Sequence, residues 1–162
     1  MSVSFPKHEV LDCCALYGPM LHLASGIDGR KIMAAIASNE SSTGANCGPR
    51  HEPAYDNGGS LSTGAAQAAA LAKYGSAAAC SYGPWQMMFA NFSGVTPDQL
   101  NSDIDLCAQG FVKFFNSFVI GSRRAQGVQD IGQVWNLGHV TSTPPPGLIA
   151  YCKKLQAAYD VA

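Results

Sequence analysis

Apolar residues along this chain recur mostly at helical spacing. In "RKIMAAIASNE" (30–40), Ile32, Met33, Ile36 and Ala37 fall on one face of a helix. "HEVLDCCALYGPMLHLAS" (8–25) reads as a helix broken at Gly18-Pro19. "GAAQAAALAKYGSAAA" (64–79) is rich in alanine, the best helix former. Ser102 and Asp103 can cap a helix running to about Ile120, with Ile104, Cys107, Ala108, Phe111, Phe115 and Phe118 as its core stripe. "VQDIGQVWNLG" (128–138) and "LIAYCKKLQAAYD" (148–160) supply two further helices. Between these lie a turn at "GIDG", a loop at 43–63, an aromatic stretch of turn and short helix at 81–94, a polar turn at 121–127, and the stiff "TSTPPPG" (141–147). Period-2 alternation beyond four residues is nearly absent, so the expected class is all-α, in a single globular domain spanning 1–162.

Composition narrows this reading. Hydrophobic residues make up 47% of the chain and charged residues only 13%, which excludes a disordered composition. The formal net charge of -1, with no basic run, gives no reason to expect nucleic acid as a partner. No stretch approaches the roughly 18 apolar residues of a spanning helix, so membrane insertion is not expected. "MSVSFPKHEVLDCC" has no basic segment followed by an apolar one, so no secretory signal is read. The four histidines are scattered and the six cysteines form no C-x-x-C pair, so neither a metal nor a cofactor is expected. Cys107 and Cys152 sit on apolar faces as small hydrophobes, whereas Cys47 and Cys80 lie where a bridge is more plausible.

One position breaks the pattern. Glu40 continues the Ile32, Ile36 spacing, so a carboxylate ends a buried stripe at the mouth of a long loop. Such a group either turns to solvent, pairs with Arg30 or Arg50, or serves as a general acid, for which shielding from water favours the protonated form. Two further segments suit a sugar-binding cleft, which needs aromatic planes and amide side chains. "YGPWQMM" supplies Tyr82, Trp85, Gln86 and Met87, and "VWNLGH" supplies Trp135, Asn136 and His139.

The ordered set of segments resembles the goose-type lysozyme and soluble lytic transglycosylase family. Glu40-Ser41 closes a helix, Gly83-Pro84-Trp85-Gln86 stands where that family has a Gly-Leu-Met-Gln-like segment, and Trp135-Asn136-Leu137-Gly138 stands for Tyr-Asn-x-Gly. "PRHEPAYD" (49–56) is similar to the Arg-x-Glu-Pro segment of some phage-type members. The likeness spans roughly residues 30–155. It implies a lysozyme-like helical fold that cleaves the β-1,4 bond after N-acetylmuramic acid in peptidoglycan, acting on glycan strands as a monomer. It implies Glu40 as proton donor, Ser41 as the residue orienting it, and Tyr82, Trp85, Gln86, Met87, Trp135 and Asn136 along the glycan groove. Pro84-Trp85 replaces Leu-Met, and Trp135 replaces a tyrosine whose hydroxyl touches the reaction centre. Glu52 and Asp56 are the candidates for a second acid. With one, water attacks; without one, the muramic 6-hydroxyl attacks and leaves a 1,6-anhydro sugar, the route preferred here. Without a signal, such a chain fits a phage lysin, a virion enzyme or one domain of an exported protein.

Two other classes compete. Cys47-Gly48 with His139 or His51 would suit a cysteine peptidase or amidase. A lysozyme-like module that binds glycan without turnover is the non-enzymatic alternative.

Overall fold

A computed structural model describes residues 3–120 and 127–162, with backbone alone for 118–120. Seven α-helices carry the described chain: α1 Lys7–Tyr17, α2 Gly29–Ser41, α3 Ala65–Tyr74, α4 Pro97–Leu100, α5 Ile104–Phe114, α6 Val128–Leu137 and α7 Pro146–Val161. Three very short strands, β1 Arg50–His51, β2 Cys80–Tyr82 and β3 Met87–Met88, pair antiparallel in the order β1-β2-β3. The protein is therefore mostly helical, as expected, with a small sheet that the all-α expectation did not include. Strands of two or three residues are too short to show alternation in a sequence.

α2 runs through the centre. Asp28 caps it by accepting from the Arg30 amide, and Ile32, Met33, Ile36 and Ala37 are fully buried between α1 and α7. Its end is fixed by Ser41, whose hydroxyl donates to the Ala37 carbonyl at 3.0 Å and accepts from the Gly44 amide at 2.9 Å. Ser42, Thr43 and Gly44 all take left-handed backbone, at φ 54°, 54° and 96°. Gly44 is needed there, since a Cβ would lie 2.5 Å from the Phe5 carbonyl oxygen.

The helix expected over 8–25 ends at Tyr17 and tightens into a 3-10 turn at Gly18–Met20, where Pro19 interrupts it. α5 starts at the Asp103 cap and passes into a π-helical turn, Phe115–Ile120. Cys107, Ala108, Phe111 and Phe115 of its stripe are buried; the Phe118 side chain, and nearly all of the 121–127 turn, lie outside the described residues. The 81–94 stretch forms most of the β2–β3 hairpin, which was not expected, and its expected short helical part is a 3-10 turn at Phe89–Asn91. All six cysteines are buried and unbridged, so the bridge considered for Cys47 and Cys80 is absent.

Candidate active site

Glu40 sits in the last turn of α2 with only 11% of its side chain exposed. Its Oε1 accepts two hydrogen bonds, from the Tyr151 hydroxyl at 2.7 Å and from the Trp135 indole N–H at 3.1 Å. Its Oε2 faces the Arg50 guanidinium at 3.6 Å. Both donors come from distant chain. α7 brings Tyr151 because Leu148, Cys152 and Leu155 on the same stripe are buried. α6 brings Trp135, whose ring rests on Phe111 at 5.2 Å and meets Phe114 edge-on at 5.9 Å. Burial first, and then the Glu40 carboxylate, push the Tyr151 hydroxyl well above its ordinary pKa, so it stays a donor.

Arg50 connects Glu40 to a second acid. Its Nε donates to Glu52 Oε1 at 3.0 Å, and the Ser81 hydroxyl reaches the same oxygen at 3.4 Å. β1 places Arg50 beside Ser81 of β2, and the Glu52 amide continues the contact by donating to the Ala79 carbonyl at 2.8 Å.

Two clefts meet at Glu40. One, of about 540 Å³, is lined by Glu52, Tyr55, Met87, Asn91, Phe114 and Asn136 among others. The other, of about 480 Å³, is lined by Val3, Asn46, Gly48 and Pro49. Glu40, Arg50 and Gln86 line both. The acid thus stands where the two concavities join, and an extended ligand lying across both would pass over it.

Of the residues that the sequence pointed to, Glu40, Glu52, Gln86, Met87, Trp135 and Asn136 line this cleft together. Gln86 holds left-handed backbone at φ 46°, and its amide is pinned by Ser81 Oγ at 3.1 Å and the Gly83 carbonyl at 3.0 Å. Four others depart from expectation. Ser41 is buried and stabilises the helix end. Tyr82 is buried with its hydroxyl on the Ala77 carbonyl at 2.7 Å. Trp85 is fully buried, lies tilted against Phe111 with ring centres 5.5 Å apart, and donates to the Met33 carbonyl of α2 at 2.9 Å. Asp56 lies outside the cleft and pairs with His51 Nε2 at 2.7 Å; that hydrogen bond is the main reason its carboxyl titrates below the ordinary value.

Of the partners open to Glu40 from the sequence, Arg50 is the one present and Arg30 pairs with Asp28 instead; sequence reasoning missed Tyr151, Tyr55, Asn91 and Phe114. One signal for Tyr151 was present: a tyrosine on a buried helical stripe must find a partner for its hydroxyl.

The thiol alternative finds little geometry. Cys47 is fully buried, its Sγ lies 3.3 Å from the Gly44 carbonyl oxygen, and burial raises its pKa, whereas the reactive species is the thiolate. His51 is taken by Asp56, and His139 is exposed. Among the described residues no group of three His, Cys, Asp or Glu is placed to hold a metal ion. No helix among them is long and apolar enough to cross a membrane.

No protein-family model matches this chain, and no curated protein or solved structure matches it.

Proposed function

We propose that this chain cleaves the β-1,4 bond after N-acetylmuramic acid in peptidoglycan, with Glu40 as proton donor on a lysozyme-like helical scaffold. One observation carries the reading: a shielded carboxylic side chain, held through one oxygen by two neutral donors, stands where two open clefts meet. A glycan strand lying across both clefts would present a glycosidic oxygen to it. The resemblance of the segments around Glu40, Gln86 and Trp135-Asn136 to goose-type lysozymes and lytic transglycosylases supports the same chemistry.

The geometry divides the labour. Tyr151 and Trp135 occupy Oε1, so Oε2 is the oxygen that carries the transferable proton. Arg50 faces Oε2 but has Glu52 as a second partner, so it can yield that oxygen to a sugar without losing its own ion pair. Proton transfer from Oε2 to the bridging oxygen lets the bond to muramic C1 break. In the lyase route the muramic 6-hydroxyl attacks C1 and returns its proton to Glu40. No water is consumed, and the products are a 1,6-anhydro end and a free 4-hydroxyl. The Trp135 N–H donates and cannot accept, so the hydroxyl that touches the acid here is Tyr151.

A second reading rests on Glu52. It lines the same cleft and is linked to Glu40 through Arg50, which suits a base that activates water on the opposite sugar face. The lyase route is preferred because Glu52 Oε1 already accepts from Arg50 and Ser81.

Mass spectrometry of digested cell wall separates the two. Anhydromuramic ends are expected; hydrated reducing ends would replace the lyase with the hydrolase. No clearing of peptidoglycan gels by wild-type protein at any pH would defeat both and leave a glycan-binding module.

A further inference from the structure

Another concavity lies between the outer faces of α1, α2 and α7. Its volume is about 560 Å³, and it shares no residue with the Glu40 cleft. That size falls within the roughly 300–1,000 Å³ typical of small-molecule sites. Helical spacing builds it: Lys7, Leu11 and Ala15 recur along one face of α1, and Lys31, Ala34 and Ser38 along one face of α2. Ala158 and Val161 of α7 close the third side. Alanine at three of these positions leaves room between the helices. Leu11 is 40% exposed and Val161 87% exposed, so the apolar wall is uncovered.

The rim has the opposite character. Lys7, Arg30 and Lys31 line it with one acidic side chain, Asp28. Arg30 takes both oxygens of Asp28, through Nε at 3.2 Å and Nη2 at 3.1 Å. Lys7 and Lys31 have no carboxylate partner among the described residues; Lys31 instead lies 5.8 Å from the centre of the Tyr159 ring. Lys7 and Lys31 thus leave an excess of positive charge beside an apolar slot. A bare anion would leave the slot unused, and a neutral hydrocarbon would leave both ammonium groups unused.

We propose that this groove binds a single-chain anionic amphiphile, a medium-chain fatty carboxylate, with its alkyl chain between α1, α2 and α7 and its carboxylate on Lys7 and Lys31. The site is independent of the Glu40 chemistry, so its test needs no peptidoglycan.

Isothermal titration of the full chain with laurate, decanoate, acetate and 1-dodecanol, each kept below its aggregation or solubility limit, reads the two contributions separately. One laurate per chain is expected. Decanoate is expected to bind about 16-fold more weakly, at roughly fourfold per buried methylene. Acetate and 1-dodecanol should give no measurable saturation over the same range. The double variant Lys7→Glu/Lys31→Glu, both changes on the helix surface, should keep the wild-type circular dichroism and bind laurate at least about tenfold more weakly. Absence of laurate binding overturns the proposal. So does 1-dodecanol binding as tightly as laurate, or full laurate affinity in the charge-reversed variant.

Discussion

The Tyr151 hydroxyl lies 2.7 Å from Glu40 Oε1, across 111 residues of chain. This contact joins the second helix to the last, and it ties the position of the acid to the packing of the fold. Replacing Glu40 by Gln preserves an acceptor for Tyr151 and Trp135 but removes the transferable proton. Glu40→Gln is expected to fold like the wild type and to lose at least about 10²–10⁴ of its lytic rate. Thermal melting and turbidity loss of purified peptidoglycan measure the two effects on one sample. Unchanged lysis would remove Glu40 from the chemistry.

Tyr151→Phe keeps the ring and deletes the hydroxyl. A side-chain hydrogen bond contributes about 0.5–1.5 kcal/mol net, so the variant should lose stability of that order. It should also lose activity, because one of two restraints on Oε1 is gone while Trp135 remains. Urea unfolding and initial lysis rates give the two numbers. Wild-type stability in this variant would mean that the hydroxyl is satisfied equally well by water.

How much of this was legible follows from where the physical signal is local. The α2 stripe announced itself because Ile32, Met33, Ile36 and Ala37 obey one period, and Glu40 stood out because it continued that period with the wrong chemistry. The Asp103 cap and the α5 stripe were readable for the same reason. Trp85 and Tyr82 were misplaced toward the groove. Gly83-Pro84 marks a turn correctly, yet a turn in a three-stranded sheet this short can direct its aromatic residue inward, onto the Met33 carbonyl. The sequence left open a pairing of Arg50 with Glu40, but that Arg50 holds Glu40 and Glu52 at once depends on β1 lying beside β2, a pairing of two residues with two. Tertiary contact decides such positions, and spacing does not reveal them.

Gly44 controls where the acid ends up. Its backbone sits at φ 96°, and a methyl group added there would come within 2.5 Å of the Phe5 carbonyl oxygen, so the turn has no room for a side chain. Gly44→Ala is expected to cost about 1–3 kcal/mol from backbone strain alone, and more from the clash. The turn follows Ser41 directly, so lysis should fall more steeply than stability. Ala45→Gly, next door and exposed, is the control and should change both little. Chemical unfolding with parallel lysis assays checks the pair.

Alkaline pH should unfold the protein earlier than its composition suggests. Burial pushes the thiols of Cys14 and Cys107 from 9.0 up to about 12, and it also raises the Tyr151 hydroxyl. Between the ordinary and the raised values the folded chain keeps protons that the unfolded chain has released. Stability is therefore full below about pH 9 and falls as pH climbs, by up to about 1.4 kcal/mol per pH unit for each such group. Urea midpoints from pH 8 to 11 should decline with increasing slope, and Cys107→Ala should flatten the curve at the cost of a lower starting stability. A pH-independent midpoint over that range would show that these thiols ionise alike in both states. In the folded protein near neutral pH, a thiol reagent should modify few of the six cysteines; in denaturant it should modify all of them.

For the proposed cleavage, Glu52→Gln separates the two candidate nucleophiles. Under the lyase route Glu52 serves to hold Arg50, and glutamine can still accept from Arg50 and Ser81. The variant should then keep activity within about an order of magnitude, and its products should still carry anhydromuramic ends. Under the hydrolase route Glu52 takes a proton from water, and glutamine cannot. The loss should then reach about 10²-fold or more, the ordinary contribution of a positioned base. Glu52→Ala separates holding from catalysis. It frees Arg50 to pair more closely with Glu40 Oε2, the oxygen to which the proposed mechanism assigns the proton, so under the lyase route it should be slower than Glu52→Gln, and the deficit should shrink when Arg50→Met is added. Product masses and initial rates for the three variants, on uncross-linked glycan strands, distinguish a positioning role from a catalytic one.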